Sequence, residues 1–97
     1  MIERHVTFNV LPGKEADFEK LFREEYGKAM SSMPGFVLVS LLREQEKPSR
    51  YQMTIRFKDE ETAAGWRKSP QHEGLKPKIK ALYDTSELIV FDVIAGF

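Results

Sequence analysis

The groups with most chemical content in this chain are the indole of Trp66 and the imidazole of His72, in the run Trp66-Arg67-Lys68-Ser69-Pro70-Gln71-His72. They are the only tryptophan and one of two histidines. An imidazole titrates near ~6.5, so it can accept a substrate proton at neutral pH. An indole N–H can only donate, and it needs a partner when buried. On one straight helix the two rings would point to different faces. Ser69-Pro70 prevents that, because a proline ring disfavours helical backbone at the residue before it. Serine also caps a helix start well, and proline suits its first position, where no N–H is needed. One helix should therefore stop near Lys68 and a second, differently aimed, should start at Pro70. The break could bring both rings to one pocket mouth. The plainer readings are that Trp66 plugs a helix–sheet seam and His72 steadies the second helix.

The elements that must hold these groups can be read from hydrophobic spacing. Ile2 to Leu11 alternates, with Ile2, Val6, Phe8 and Val10 on one face and Glu3, His5, Thr7 and Asn9 on the other, and Pro12-Gly13 ends it. From Glu15 to Met33 the period is helical, with Phe18, Leu21, Phe22, Tyr26, Ala29, Met30 and Met33 in one stripe and Glu15, Asp17 and Glu19 favouring the helix N-terminus. Pro34-Gly35 stops it. Phe36 to Leu42 is almost continuously apolar, and Glu44 to Arg50 is a polar hairpin connection. Tyr51, Met53, Ile55 and Phe57 alternate with Gln52, Thr54 and Arg56. The broken helical region runs from Asp59 to about Tyr83, and Leu88 to Ile94 forms the last strand.

The order βαββαβ specifies an α+β ferredoxin-like sandwich, an antiparallel sheet with its helices on one face. With the first and third strands central, Val6, Phe8, Met53 and Ile55 face the helices. His5, Thr7, Asn9, Gln52, Thr54 and Arg56 form a polar strip behind. Arg56 on that strip needs an acidic partner, Asp92 or Glu3, because an unpaired buried charge is costly. Flanking the strip are Val37, Val39 and Leu41 from one edge strand and Ile89, Phe91 and Val93, or else Leu88, Val90 and Asp92, from the other. An apolar frame of this kind is unusual on an open sheet, and pairing two sheets face to face would cover it. The pattern therefore points to a homodimer.

Composition narrows the function. Ninety-seven residues, 41% hydrophobic, make one domain over residues 1–97. The absence of cysteine removes disulfides, thiol nucleophiles and zinc–thiolate sites. Fifteen basic and fifteen acidic residues, without long blocks, lack the footprint of a nucleic-acid binder. No run is long and apolar enough for a membrane span, and no signal core opens the chain, so a cytoplasmic protein is expected. Two histidines without nearby carboxylate spacing disfavour a transition-metal site. Six scattered glycines form no phosphate loop, and none of Ser31, Ser32 and Ser40 sits in a hydrolase elbow.

The strand ending in Pro12-Gly13, the run Met33-Pro34-Gly35-Phe36 and the Trp66–Ser69–His72 spacing together resemble the antibiotic biosynthesis monooxygenase domain, of the dimeric α+β barrel superfamily. The resemblance covers Ile2 to about Val93. It implies a homodimer with a ligand cavity between sheet and helices. Some members oxidise polycyclic phenols or quinols with dioxygen and neither metal nor flavin, while others bind and degrade haem. The first expectation is therefore cofactor-independent oxidation of a small aromatic, with His72 as base, Trp66 as wall and donor, and Asn9 as a third participant. Tyr26, Tyr51 and Phe8 are the expected substrate-binding walls. The alternative is a non-enzymatic dimeric protein that binds small ligands or is associated with stress. Haem fits less well. The haem-degrading members carry their axial histidine about one turn beyond His72, where this chain has Lys76. Their first-strand asparagine falls near Val6, which Asn9 does not match.

Overall fold

The computed structural model describes residues 1–97. Strand β1 (Ile2–Val10) is followed by α1 (Glu15–Leu21), a π-helical turn (Phe22–Tyr26) and α2 (Gly27–Ser31), which run on as one rod. Strands β2 (Phe36–Arg43) and β3 (Arg50–Phe57) form a hairpin. Helices α3 (Glu60–Arg67) and α4 (Pro70–Lys80) lead into β4 (Tyr83–Asp92). The strands form one sheet in the order β2-β3-β1-β4, with antiparallel neighbours throughout. This is the ferredoxin-like α+β fold expected, with the first and third strands central.

Pairing of Val6 with Met53, Phe8 with Tyr51 and Arg4 with Ile55 fixes the helix-facing side. Along β3 the alternation is complete, with Tyr51, Met53, Ile55 and Phe57 buried and the residues between them half-buried. These side chains join Phe18, Leu21, Tyr26 and Met30 in the core. The π turn explains how Leu21 and Tyr26 both reach it. Residues five apart diverge on an α-helix, but bonding five residues back, as Gly27 N–H does to Phe22 O, brings them into line. Gly13 and Gly35 end their elements with φ of 84° and 78°. At Gly35 a Cβ would collide with the Thr62 side chain, so glycine is required twice over.

Two expectations about the edges are corrected. Val39 and Leu41 pair with Ile55 and Met53 and so face the helices. A register shift between Phe36 and Leu38 puts Leu38, Ser40 and Leu42 on the outer face instead. A one-residue bulge exchanges the faces of a strand, and a continuously apolar run gives no warning of it. The last strand begins at Tyr83, not Leu88. Of its polar opening, Thr85 to Glu87 pair with Asn9 to Thr7 of β1, while Asp84 falls in a bulge before Tyr83 meets Val10, and an edge strand tolerates such residues. Ile89 and Phe91 do lie on the outer face, opposite His5 and Glu3. There Arg56 finds Glu3, one of its two expected partners, at 2.7 Å, and Glu3 also meets His5 at 2.7 Å.

Candidate active site

The site is built around the expected helix break. Asp59 caps α3 by accepting from Thr62 N–H, and Thr62 Oγ1 returns the bond to Asp59 N–H. At the far end of α3, Ser69 has extended backbone and Pro70 opens α4. The buried Ser69 hydroxyl donates to Trp66 O at 2.7 Å and accepts from His72 N–H at 3.1 Å. One side chain thus ties the last turn of α3 to the first turn of α4. The Trp66 and His72 rings lie 5.1 Å apart at 73°. Tyr26, delivered by the π turn, stands edge-on to Trp66 at 5.5 Å and 6.3 Å from His72.

These three rings line a cavity of about 280 Å³ between helices and sheet. Val6, Phe8, Met53 and Ile55 form apolar walls, and the remaining polar groups come from Arg4, Arg67 and Ser86. Just two buried side-chain nitrogen or oxygen atoms in the protein lack a hydrogen-bond partner, His72 Nδ1 and Arg67 Nη1. Both residues line this cavity. Buried polar atoms are ordinarily satisfied, so two orphans on residues of one cavity set it apart from the rest of the interior.

Burial holds the His72 imidazole below its usual value, and the neighbouring Lys76 and Arg67 charges add to that. Glu73 and the Arg67 backbone oppose the shift. The ring is therefore neutral at pH 7 and can accept a proton. Burial pushes the Tyr26 phenol up to about 12, against the pull of the Trp66 indole beside it, so Tyr26 remains a neutral donor. Arg4 is also lowered, first by burial and then by the like charge of Arg67. It still carries its positive charge, because arginine loses its proton only far above neutrality.

Of the six expected site residues, His72, Trp66, Tyr26 and Phe8 line this one cavity. Asn9 does not. It lies on the opposite face of the sheet, where its Nδ2 donates to Thr85 Oγ1 at 2.8 Å. Tyr51 shares the helix side but turns away, its hydroxyl donating a hydrogen bond to Glu19 Oε2 at 2.6 Å. Sequence reasoning overlooked Arg4 and Arg67. Arg4 had a legible signal, since it interrupts the inward parity of Ile2, Val6 and Phe8 with a cation. Arg67 sits beside Trp66 and had none.

The sequence model for antibiotic biosynthesis monooxygenases matches residues 1–77. No curated protein matches the chain. Among solved structures it is similar to SnoaB, a cofactor-independent oxygenase from Streptomyces nogalater, at 26% identity and a TM-score of 0.88. That match covers 98% of this chain and 94% of SnoaB. A Nitrosomonas europaea protein provisionally named an antibiotic biosynthesis monooxygenase superposes with a TM-score of 0.87 at 14% identity, over 98% of this chain and 100% of that one. A similarly named Deinococcus radiodurans protein reaches 0.88 at 13% identity, over 100% and 96%. These last two share the fold alone. Matched by the family's sequence model over most of its length, the chain belongs to the antibiotic biosynthesis monooxygenase family.

Proposed function

We propose that the protein oxidises a small phenol or quinol with dioxygen, without a bound cofactor, and that His72 is the base. The observation that carries this reading is the unpartnered Nδ1 of His72 beside Trp66 and Tyr26, in a cavity whose walls are otherwise mostly apolar. The likeness to SnoaB, described as a cofactor-independent oxygenase, supports it. No group of three or more His, Cys, Asp or Glu side chains is arranged to hold a metal ion. Haem does not suit these residues. Lys76, at the expected ligand position, is exposed and outside the cavity lining, and a protonated lysine has no lone pair for iron.

In the proposed reaction His72 removes the phenolic proton and the phenolate passes one electron to dioxygen. Superoxide and the aryloxyl radical then join at a ring carbon. The proton held by His72 returns to the peroxide, and loss of water breaks the O–O bond and leaves a new carbonyl. A phenol with a ring C–H thus becomes a quinone, and one dioxygen supplies both the new oxygen and the water. Tyr26 and Trp66 can donate to the developing oxyanion, which counts for most in a dry site. The test is oxygen uptake with an anthrol-like substrate in chelated, flavin-free buffer. His72→Ala should lose about 10²–10⁴-fold, the contribution of a positioned base. An unchanged rate would leave a ligand-binding protein without this chemistry.

We propose also that the protein is a homodimer through the sheet's outer face. Leu42, Ile89 and Phe91 are exposed there at 49%, 58% and 42%, around the polar strip. Sedimentation equilibrium should give a dimer mass, with at least the ~1,200 Å² total burial of a specific interface. Phe91→Lys should shift it to monomer. Leu41→Lys does not test the interface, because Leu41 faces the helices.

A further inference from the structure

We infer that the ligand of this cavity carries a fixed carboxylate, held by Arg4 and Arg67, in addition to the hydroxyl that faces His72. The inference deepens the proposed oxidation by naming its substrate class, and it rests on that reading for the role of His72 alone. Its own basis is the charge of the lining. The chain as a whole is neutral, with fifteen residues of each sign. The cavity is not, because it is lined by two arginines and no carboxylate.

Glu60 lies within ion-pair distance of Arg67 Nη2, at 2.5 Å, which leaves Arg67 Nη1 buried and unpartnered. Arg4 makes no side-chain hydrogen bond or ion pair at all, although Ile55 and Val90 flank it across the sheet. A leucine would pack there at no electrostatic cost, whereas a half-buried guanidinium without a partner is unfavourable. The other charged groups close by, Glu73 and Lys76, are exposed on α4 and outside the lining. After Glu60 is set against Arg67, one positive charge remains unmatched. That suits a monoanion, and a carboxylate can accept from both guanidinium groups.

Isothermal titration calorimetry with a matched pair, 1-hydroxy-2-naphthoate and 1-naphthol, tests this directly. The naphthoate should bind at least about tenfold more tightly, the worth of a charge-assisted hydrogen bond. Its advantage should shrink as salt is raised. Arg4→Gln and Arg67→Gln should each remove most of that advantage. Arg4→Lys, which keeps the charge, should retain part of it, so that a loss in Arg4→Gln is read against a folded, charge-matched variant. Equal affinity of the wild type for both ligands, or an advantage that survives both Gln variants, would overturn the carboxylate site. Equal affinity together with His72-dependent oxygen uptake would strike the carboxylate and spare the oxidation. A carboxylate preference with uptake independent of His72 would support the anion site and strike the oxidation.

Discussion

Two clusters of tyrosine and arginine lie on the helix-facing side of the sheet, and they differ in whether their polar atoms are matched. In the first, Glu19 accepts from Tyr51 at 2.6 Å, Arg43 at 3.1 Å and Arg23 at 3.2 Å. The Tyr51 hydroxyl, chiefly, holds the Glu19 carboxyl below the usual carboxylate range. Every member has a partner, and the cluster ties α1 to β2 and β3. In the second, around Tyr26, neither His72 Nδ1 nor Arg67 Nη1 has a partner, and Arg4 makes no ion pair, the Glu60 charge acting on it only from a distance. The first arrangement stabilises the fold. The second leaves stabilisation unused where a ligand could complete it, which is how functional groups commonly differ from structural ones. Residue types alone do not separate the two clusters.

The two clusters should differ most in their effect on the rate. His72→Ala should cost the 10²–10⁴-fold in oxygen uptake given above, whereas Tyr51→Phe should leave the rate unchanged. Equal losses would merge the two clusters into one. Ser69→Ala comes next. It removes a helix cap worth about 1 kcal/mol, read by chemical denaturation. It also frees the geometry between Trp66 and His72, so its rate should fall where that of Tyr51→Phe does not.

Tyr51→Phe itself should destabilise by about 1 kcal/mol, modest because the carboxylate keeps its two arginines. The sign of its pH dependence follows from linkage. A carboxyl with a depressed folded pKa contributes stability that is fully present above its unfolded value of 4.5 and lost as pH falls through the folded value. The stability gap between wild type and Tyr51→Phe should therefore be widest near neutrality and close in acid. Denaturant midpoints measured from pH 7 downward read it, and a gap that widened in acid would remove Glu19 from the account.

Much of this was legible in the chain. The strand alternation of β1 and β3, the Ser69-Pro70 break and the shared pocket of Trp66 and His72 follow from local rules of spacing and capping. What was not legible depends on pairing across distance. The outward turn of Leu38 and Leu42 needs a bulge that an unbroken apolar run conceals. The polar start of β4 reads as loop until β1 supplies its hydrogen bonds. Asn9 was placed correctly on the polar face of β1, but that face lies behind the sheet from the cavity. Tyr51 occupies an inward position like those of the cavity walls, and its separation from them depends on Glu19 reaching its hydroxyl from α1. The π turn, which moves Tyr26 into the site, leaves no mark in a stripe that already reads as helical.

If His72, held neutral by burial, takes the substrate's proton, the rate must follow its titration. The pH profile of kcat/KM for oxygen uptake tests it most directly. Because burial lowers the imidazole from 6.5, the rate should rise with pH through a midpoint below that value and be level at neutrality. In His72→Gln that step should vanish from the residual rate. A wild-type profile without the step, rising only toward the ~10 of an ordinary phenol, would mean that the substrate ionises without help and that His72 is not the base.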